Sequence, residues 1–162
     1  MKKISLLIAV CALFLALPIV AQPTRQHQHG ADLHFKLVGV WQQVNVVTDS
    51  TGTDQYVYLP SWKVLGADGH FVNFVTAYHK APSFITTEGR YRMVSDKYYS
   101  ERITNSLTNP QLQGVEVMME YALDEQKGEM TLRFMLPNSE RPVKEIWRKA
   151  QLAIPEQLQR QP

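Results

Sequence analysis

The sequence predicts an all-β domain, an eight-stranded up-and-down antiparallel barrel, and three observations carry that expectation. From residue 35 onward, short β-branched and aromatic runs alternate with turn residues at fairly regular spacing, the pattern of a sandwich or barrel. Before the tail, no stretch of the mature domain repeats its apolar residues at the helical period. Two late runs are strictly one-sided: Val117, Met119 and Tyr121 alternate with Glu116 and Glu120, and Leu132 and Phe134 alternate with Thr131 and Arg133. A period of two with one apolar face is the mark of a strand over a core. Consecutive hairpins favour a meander, and eight strands close into a barrel wide enough for one small ligand.

The first predicted strand is 37–47. Its faces are ambiguous, because Trp41 shares one with Leu37, Gly39, Gln43 and Asn45 while four valines fill the other. The polar cluster 48–54 is a loop by composition. The second strand, 56–65, contains Pro60, which lacks an N–H and so marks an edge, a bulge or two half-strands. Gly66-Ala67-Asp68-Gly69 is a tight turn into a third strand at 70–78. The fourth, 84–94, carries Gly89 at its middle, a bulge or bend. Strand 98–104 follows, then a longer loop at 105–114 with Asn109-Pro110. Strands 115–123 and 129–136 form a hairpin over 124–128, and 143–149 is the last.

Residues 1–21 read as a signal peptide. Lys2 and Lys3 precede an apolar run from Ile4 to Leu17, and Pro18 to Ala21 supplies a breaker and a small residue for cleavage. That run is shorter than the roughly 20 residues needed to span a bilayer. The expected location is therefore periplasmic or extracellular, with no stable membrane insertion after cleavage. Cys11 is the single cysteine and lies in this leader. The mature chain then has no disulfide, thiolate metal site or cysteine nucleophile, and its stability must come from its core. Lys2 and Lys3 account for the whole formal charge of +2. The mature chain is formally neutral, which gives no electrostatic case for nucleic acid.

Residues 22–34 form a flexible polar leader with His27, His29 and His34. A metal-binding tract and a plain linker are the alternatives, and composition favours the linker. The domain proper is 35–150, and 151–162 is a polar tail. His70 and His79 flank the third strand at opposite ends and read as rim residues. There is no Gly-x-Ser-x-Gly, His-Glu-x-x-His or phosphate-cradling loop, so the expectation is a non-enzyme without cofactor or metal.

Glu101 is the most informative polar residue. It alternates with Tyr99 and Ile103, so it either projects into an apolar interior or stays in solvent while Tyr98, Ser100 and Arg102 face inward. A buried carboxylate needs a cationic partner or a raised pKa, and either marks a site. Tyr91, Tyr99 and Tyr121 combine apolar bodies with polar tips, suited to a mixed pocket or to ordinary packing. The candidate ligand-binding set is Tyr91, Tyr99, Glu101, Met119, Tyr121, Leu132 and Phe134. The expected function is binding of a small hydrophobic or amphipathic molecule in the barrel interior. The alternatives are a filled-barrel interaction module of the cell envelope and, third, a barrel-cavity enzyme.

Gly39-x-Trp41 in the first strand, the hairpin series, and Glu145-Ile146-Trp147-Arg148 in the last give the chain a resemblance to lipocalins, or more broadly calycin barrels. Gly89-Arg90-Tyr91 and Tyr99-Ser100-Glu101 strengthen its similarity to secreted, lipocalin-like bacterial domains. The resemblance implies a barrel closed at one end by Trp41, with a basic residue near the last strand packed on its ring. Arg148 is the candidate, through guanidinium stacking on the indole.

Overall fold

Eight strands form where the β-branched and aromatic runs fall. The computed structural model describes residues 34, 36–77, 81–137 and 139–152. The strands are β1 (Gly39–Thr48), β2 (Asp54–Leu65), β3 (His70–Val75), β4 (Phe84–Met93), β5 (Tyr98–Ser106), β6 (Glu116–Asp124), β7 (Glu129–Phe134) and β8 (Val143–Lys149). Each pairs antiparallel with its sequence neighbour, and β8 returns to β1, which closes the barrel. Closure leaves no edge strand within the sheet. Among the described residues no helix is long and apolar enough to cross a membrane. The expected signal peptide, His27, His29, His79 and the tail beyond residue 152 lie outside the described residues.

Pro60 and Gly89 sit where the ladder changes register. Gln42 pairs with Trp62 and Val44 with Tyr58, so three β2 residues around Pro60 face Gln43 alone. Pro60 thus occupies a bulge, and β2 runs through it as one strand. The Pro60 carbonyl accepts from the Thr76 N–H at 2.8 Å. At Gly89 the register also slips: Glu88 pairs with Asn105 and Gly89 with Ile103, leaving Thr104 as the extra residue. A Cβ on Gly89 would lie 2.1 Å from the Arg102 carbonyl oxygen, so β5 approaches here only because no side chain intervenes.

The interior follows the alternation of the late strands. Val117, Met119, Tyr121, Met130 and Leu132 are buried, while Glu116, Glu120 and Arg133 are exposed. The ambiguous first strand resolves toward Trp41, which joins the core cluster. Val44 is buried as well, but it pairs with Ile146 and Tyr58 and stands outside that cluster.

One end of the barrel is sealed. A helical turn through His34, Lys36 and Leu37 precedes β1, and Leu37 is fully buried. Its carbonyl accepts from the Trp41 indole N–H at 2.8 Å. The cation over the indole is Lys149, with Nζ 5.2 Å from the ring, and this corrects the expectation for Arg148. The register explains it: Lys149 pairs with Trp41, whereas Arg148 pairs with Gln42 and points to the opposite face. Arg148 instead lies 4.3 Å from the Tyr56 ring, whose hydroxyl donates to Glu129. Gly39 sits at φ 149°, and a Cβ there would lie 2.8 Å from Lys149 Cε. Its missing side chain leaves space for the lysine stem that covers the tryptophan.

Candidate functional site

The other end holds a cavity of about 350 Å³. Its mouth is framed by the ends of β3 and β7 and by the loop before β6, where a single 3-10 turn, Pro110–Leu112, brings Leu112 against the core. Ile103, Leu112, Val117, Met119, Phe134, Leu136 and Trp147 supply apolar wall, and Thr86, Thr87, Thr108 and Asn109 add polar groups.

Its inner end is charged. Lys63 from β2 and Glu101 from β5 are each 2 % exposed and form an ion pair with Nζ 2.5 Å from Oε1. Both line the cavity. The Tyr99 hydroxyl donates to the same oxygen at 3.0 Å. Burial, then the neighbouring Glu101 charge, pushes the Tyr99 hydroxyl well above its ordinary range, so it remains a donor. Lys63 Nζ lies 5.3 Å from the Phe71 ring centroid and 5.8 Å from that of Trp147. Charge-assisted hydrogen bonds and aromatic faces together offset the desolvation of the ammonium. Glu101 therefore takes the inward alternative, with a cation as partner.

A second carboxylate, Glu145 of β8, reaches the same cavity. It accepts from the Trp147 indole at 3.1 Å, and no salt bridge ties it to a described cation. Burial raises its pKa above the ordinary carboxylate range. Lys63 attraction and the indole hydrogen bond oppose that shift, and Glu101 repulsion adds to it. Asn73, paired in register with Lys63, also lines the cavity. Its Oδ1 is buried without a hydrogen-bond donor, a costly state for a polar atom unless a partner arrives.

The expected binding residues divide between the two ends. Glu101, Met119 and Phe134 line the cavity. Tyr99 touches it through Glu101, while Tyr91, Tyr121 and Leu132 belong to the core. The three tyrosines pack in a row: Tyr91 meets Tyr99 edge-on at 6.1 Å, and Tyr99 meets Tyr121 at 5.9 Å. The Tyr91 hydroxyl donates to the Gly66 carbonyl at 2.7 Å and lies 2.9 Å from His34 Nε2. Burial, with Asp68 nearby, pushes it up to about 12.

Lys63, Glu145 and Asn73 were absent from that set. Lys63 carried a signal nonetheless, because it alternates with Leu65 inside an apolar run. Glu145 alternates likewise with Trp147. Asn73 carried none beyond its place in a strand. Among the described residues, no group of three His, Cys, Asp or Glu side chains is arranged to hold a metal ion.

A search of curated proteins found no match. Residues 36–157, which take in the whole barrel, match the family described as "Domain of unknown function (DUF4488)", and the chain belongs to that family.

Proposed function

We propose that this protein is an exported, lipocalin-like binding protein that holds one small, mainly apolar molecule with a polar head group inside the barrel. The observation that carries this reading is the cavity. About 350 Å³ of space is walled largely by apolar side chains and ends on Lys63, Glu101 and Glu145. Ligand sites commonly begin near 300 Å³ and pair apolar walls with a few oriented polar groups. A buried ion pair is a poor stabiliser compared with apolar packing, so its placement beside open space favours recognition over support. The basic start and apolar run of residues 1–21 support export. The filled-barrel alternative, which would use loop 105–114 and the Pro60 strand as its binding surface, draws less support, because that loop contributes Thr108, Asn109 and Leu112 to the cavity wall.

The test is native mass spectrometry of the protein purified from its own host. A stoichiometric mass increment, removed by collisional activation, is expected. Bare protein, together with no binding of amphipathic probes in titration calorimetry, would overturn the reading. One observation favours cavity acid–base chemistry as a second reading: Glu145 holds its proton more tightly than a free carboxyl, beside an ion-paired Glu101. Carboxylates in such different environments are a recurrent catalytic arrangement. Turnover of a bound molecule, lost in Glu145→Gln, is what that reading requires.

A further inference from the structure

We infer that the head group seated at the inner end of the cavity is a protonated amine, held by Glu145 and Asn73. The inference rests on the binding function proposed above and concerns which chemical class of ligand the site takes.

Charge leads to it first. Lys63 is the cation among the cavity-lining residues, and its ammonium is already committed to Glu101. Glu145 has an indole N–H as its hydrogen-bond donor; it feels the attraction of Lys63 without a salt bridge to it, and Glu101 repels it. With both carboxyls ionised, the group carries one uncompensated negative charge. A ligand carboxylate would bring a third anion to one lysine, with the full desolvation cost and no new cation. A ligand ammonium supplies the missing charge.

Hydrogen bonding leads to it independently. Asn73 Oδ1 is a buried acceptor without a donor and lines the same cavity. Glu145 is an acceptor too. The unfilled positions at this end thus call for donors, and an ammonium offers up to three donors and no acceptor. Met119 and Phe134 then lie along the apolar body of the ligand. The same two features disfavour a fatty acid, which would otherwise suit an apolar barrel.

Calorimetric titration of the folded domain at pH 7.5 with n-octylamine, n-octanol and octanoate separates the possibilities, since the three share one chain length and differ in the head. The amine is expected to bind about tenfold or more tighter than the alcohol, as one charge-assisted contact warrants, with octanoate weakest. Glu145→Gln should bring the amine down to the level of the alcohol, and Asn73→Leu should weaken it several-fold. Circular dichroism and thermal unfolding establish that each variant folds, and Asn73→Leu keeps the question open to test if Glu145→Gln does not. Equal binding of all three probes, or tightest binding of octanoate, overturns the amine assignment and leaves the binding function standing. Amine preference unchanged in both folded variants also overturns it. Binding of none of the probes removes the cavity function and the amine assignment together.

Discussion

Each end of this barrel pairs a lysine with a tryptophan, and the two pairs do opposite work. At the sealed end Lys149 lies over Trp41, its ammonium in solvent and also donating to the Lys36 carbonyl. At the cavity, Lys63 lies near Trp147 but is almost wholly buried and committed to Glu101. The chemistry of the contact is the same, and desolvation separates the roles. An exposed cation keeps its water, so its ring contact adds a modest closing interaction. A buried one must be matched by an anion, and that match brings carboxylates into an apolar interior. One end therefore closes the fold, and the other concentrates charge beside open space.

The contrast breaks most visibly at Lys63. Lys63→Met should destabilise the protein by about 3–5 kcal/mol in guanidinium unfolding at neutral pH, because Glu101 is left buried without its cation. Adding Glu101→Leu should recover most of the loss, since removing both charges also removes the penalty. If the single variant lost less than about 1 kcal/mol, the pair would behave like an exposed ion pair, and the distinction between the ends would fail.

A smaller effect is expected at Gly39. Alanine there is disfavoured by the backbone, at φ 149°, and by the Lys149 stem, 2.8 Å from the new Cβ. A loss of about 1–3 kcal/mol follows. Because the stem is flexible, shifting it relieves the clash but uncovers Trp41, so the tryptophan emission should move to the red. Loss of stability without that shift would place the strain in the backbone alone.

Smaller still is the difference between adjacent basic residues. Lys149→Met should cost about 0.5–1 kcal/mol, the range of an exposed cation–π contact, and should alter Trp41 emission. Arg148→Met should leave that emission unchanged, because Arg148 faces Tyr56. A change with Arg148 and none with Lys149 would reverse the assignment of the cap.

That pair also shows how far the sequence could be read. All eight strands were legible, because turn chemistry at Gly66–Gly69 and 124–128 and one-sided runs at 117–121 and 132–134 are local signals. Irregularities at Pro60 and Gly89 were legible for the same reason, though which of the open alternatives each takes comes from the register of the paired strands. Which of two neighbouring basic residues covers Trp41 was not, since one step along a strand reverses the face, and the β1–β8 register comes from closure of the whole barrel. Lys63 was legible only in part, since its alternation with Leu65 competes with a similar ambiguity of face. Trp62 and Val64 look like the buried face of their run, yet Trp62 stacks on Phe74 outside the core cluster, and Lys63 turns inward. Glu101 could be narrowed to two orientations. Its partner could not be found, because the lysine that decides between them is 38 residues away in sequence.

Glu145 gives the subtlest test, and its sign is opposite to that of Lys63. Burial raises its pKa, with Glu101 adding to the rise and Lys63 and the Trp147 indole opposing it. A carboxyl whose folded pKa exceeds its unfolded value favours the folded state when protonated. It costs stability as pH rises from the unfolded value through the folded one, and that cost is complete above the folded pKa. Glu145→Gln removes the ionisation and keeps an oxygen for the Trp147 indole. The variant should therefore unfold at a higher temperature than the parent at pH 7 to 8. The gain should shrink as pH falls through the raised pKa and vanish near pH 4, around the pKa of an unperturbed glutamate. Thermal unfolding of both proteins across that range measures it. A gain independent of pH would assign the effect to packing, and a loss at pH 7 would mean that the ionised carboxylate already has a stabilising cation in the empty barrel. The expected result is that, of the two carboxylates lining the cavity, the one without a salt bridge is the one the fold would do better without, as befits a group retained for a ligand.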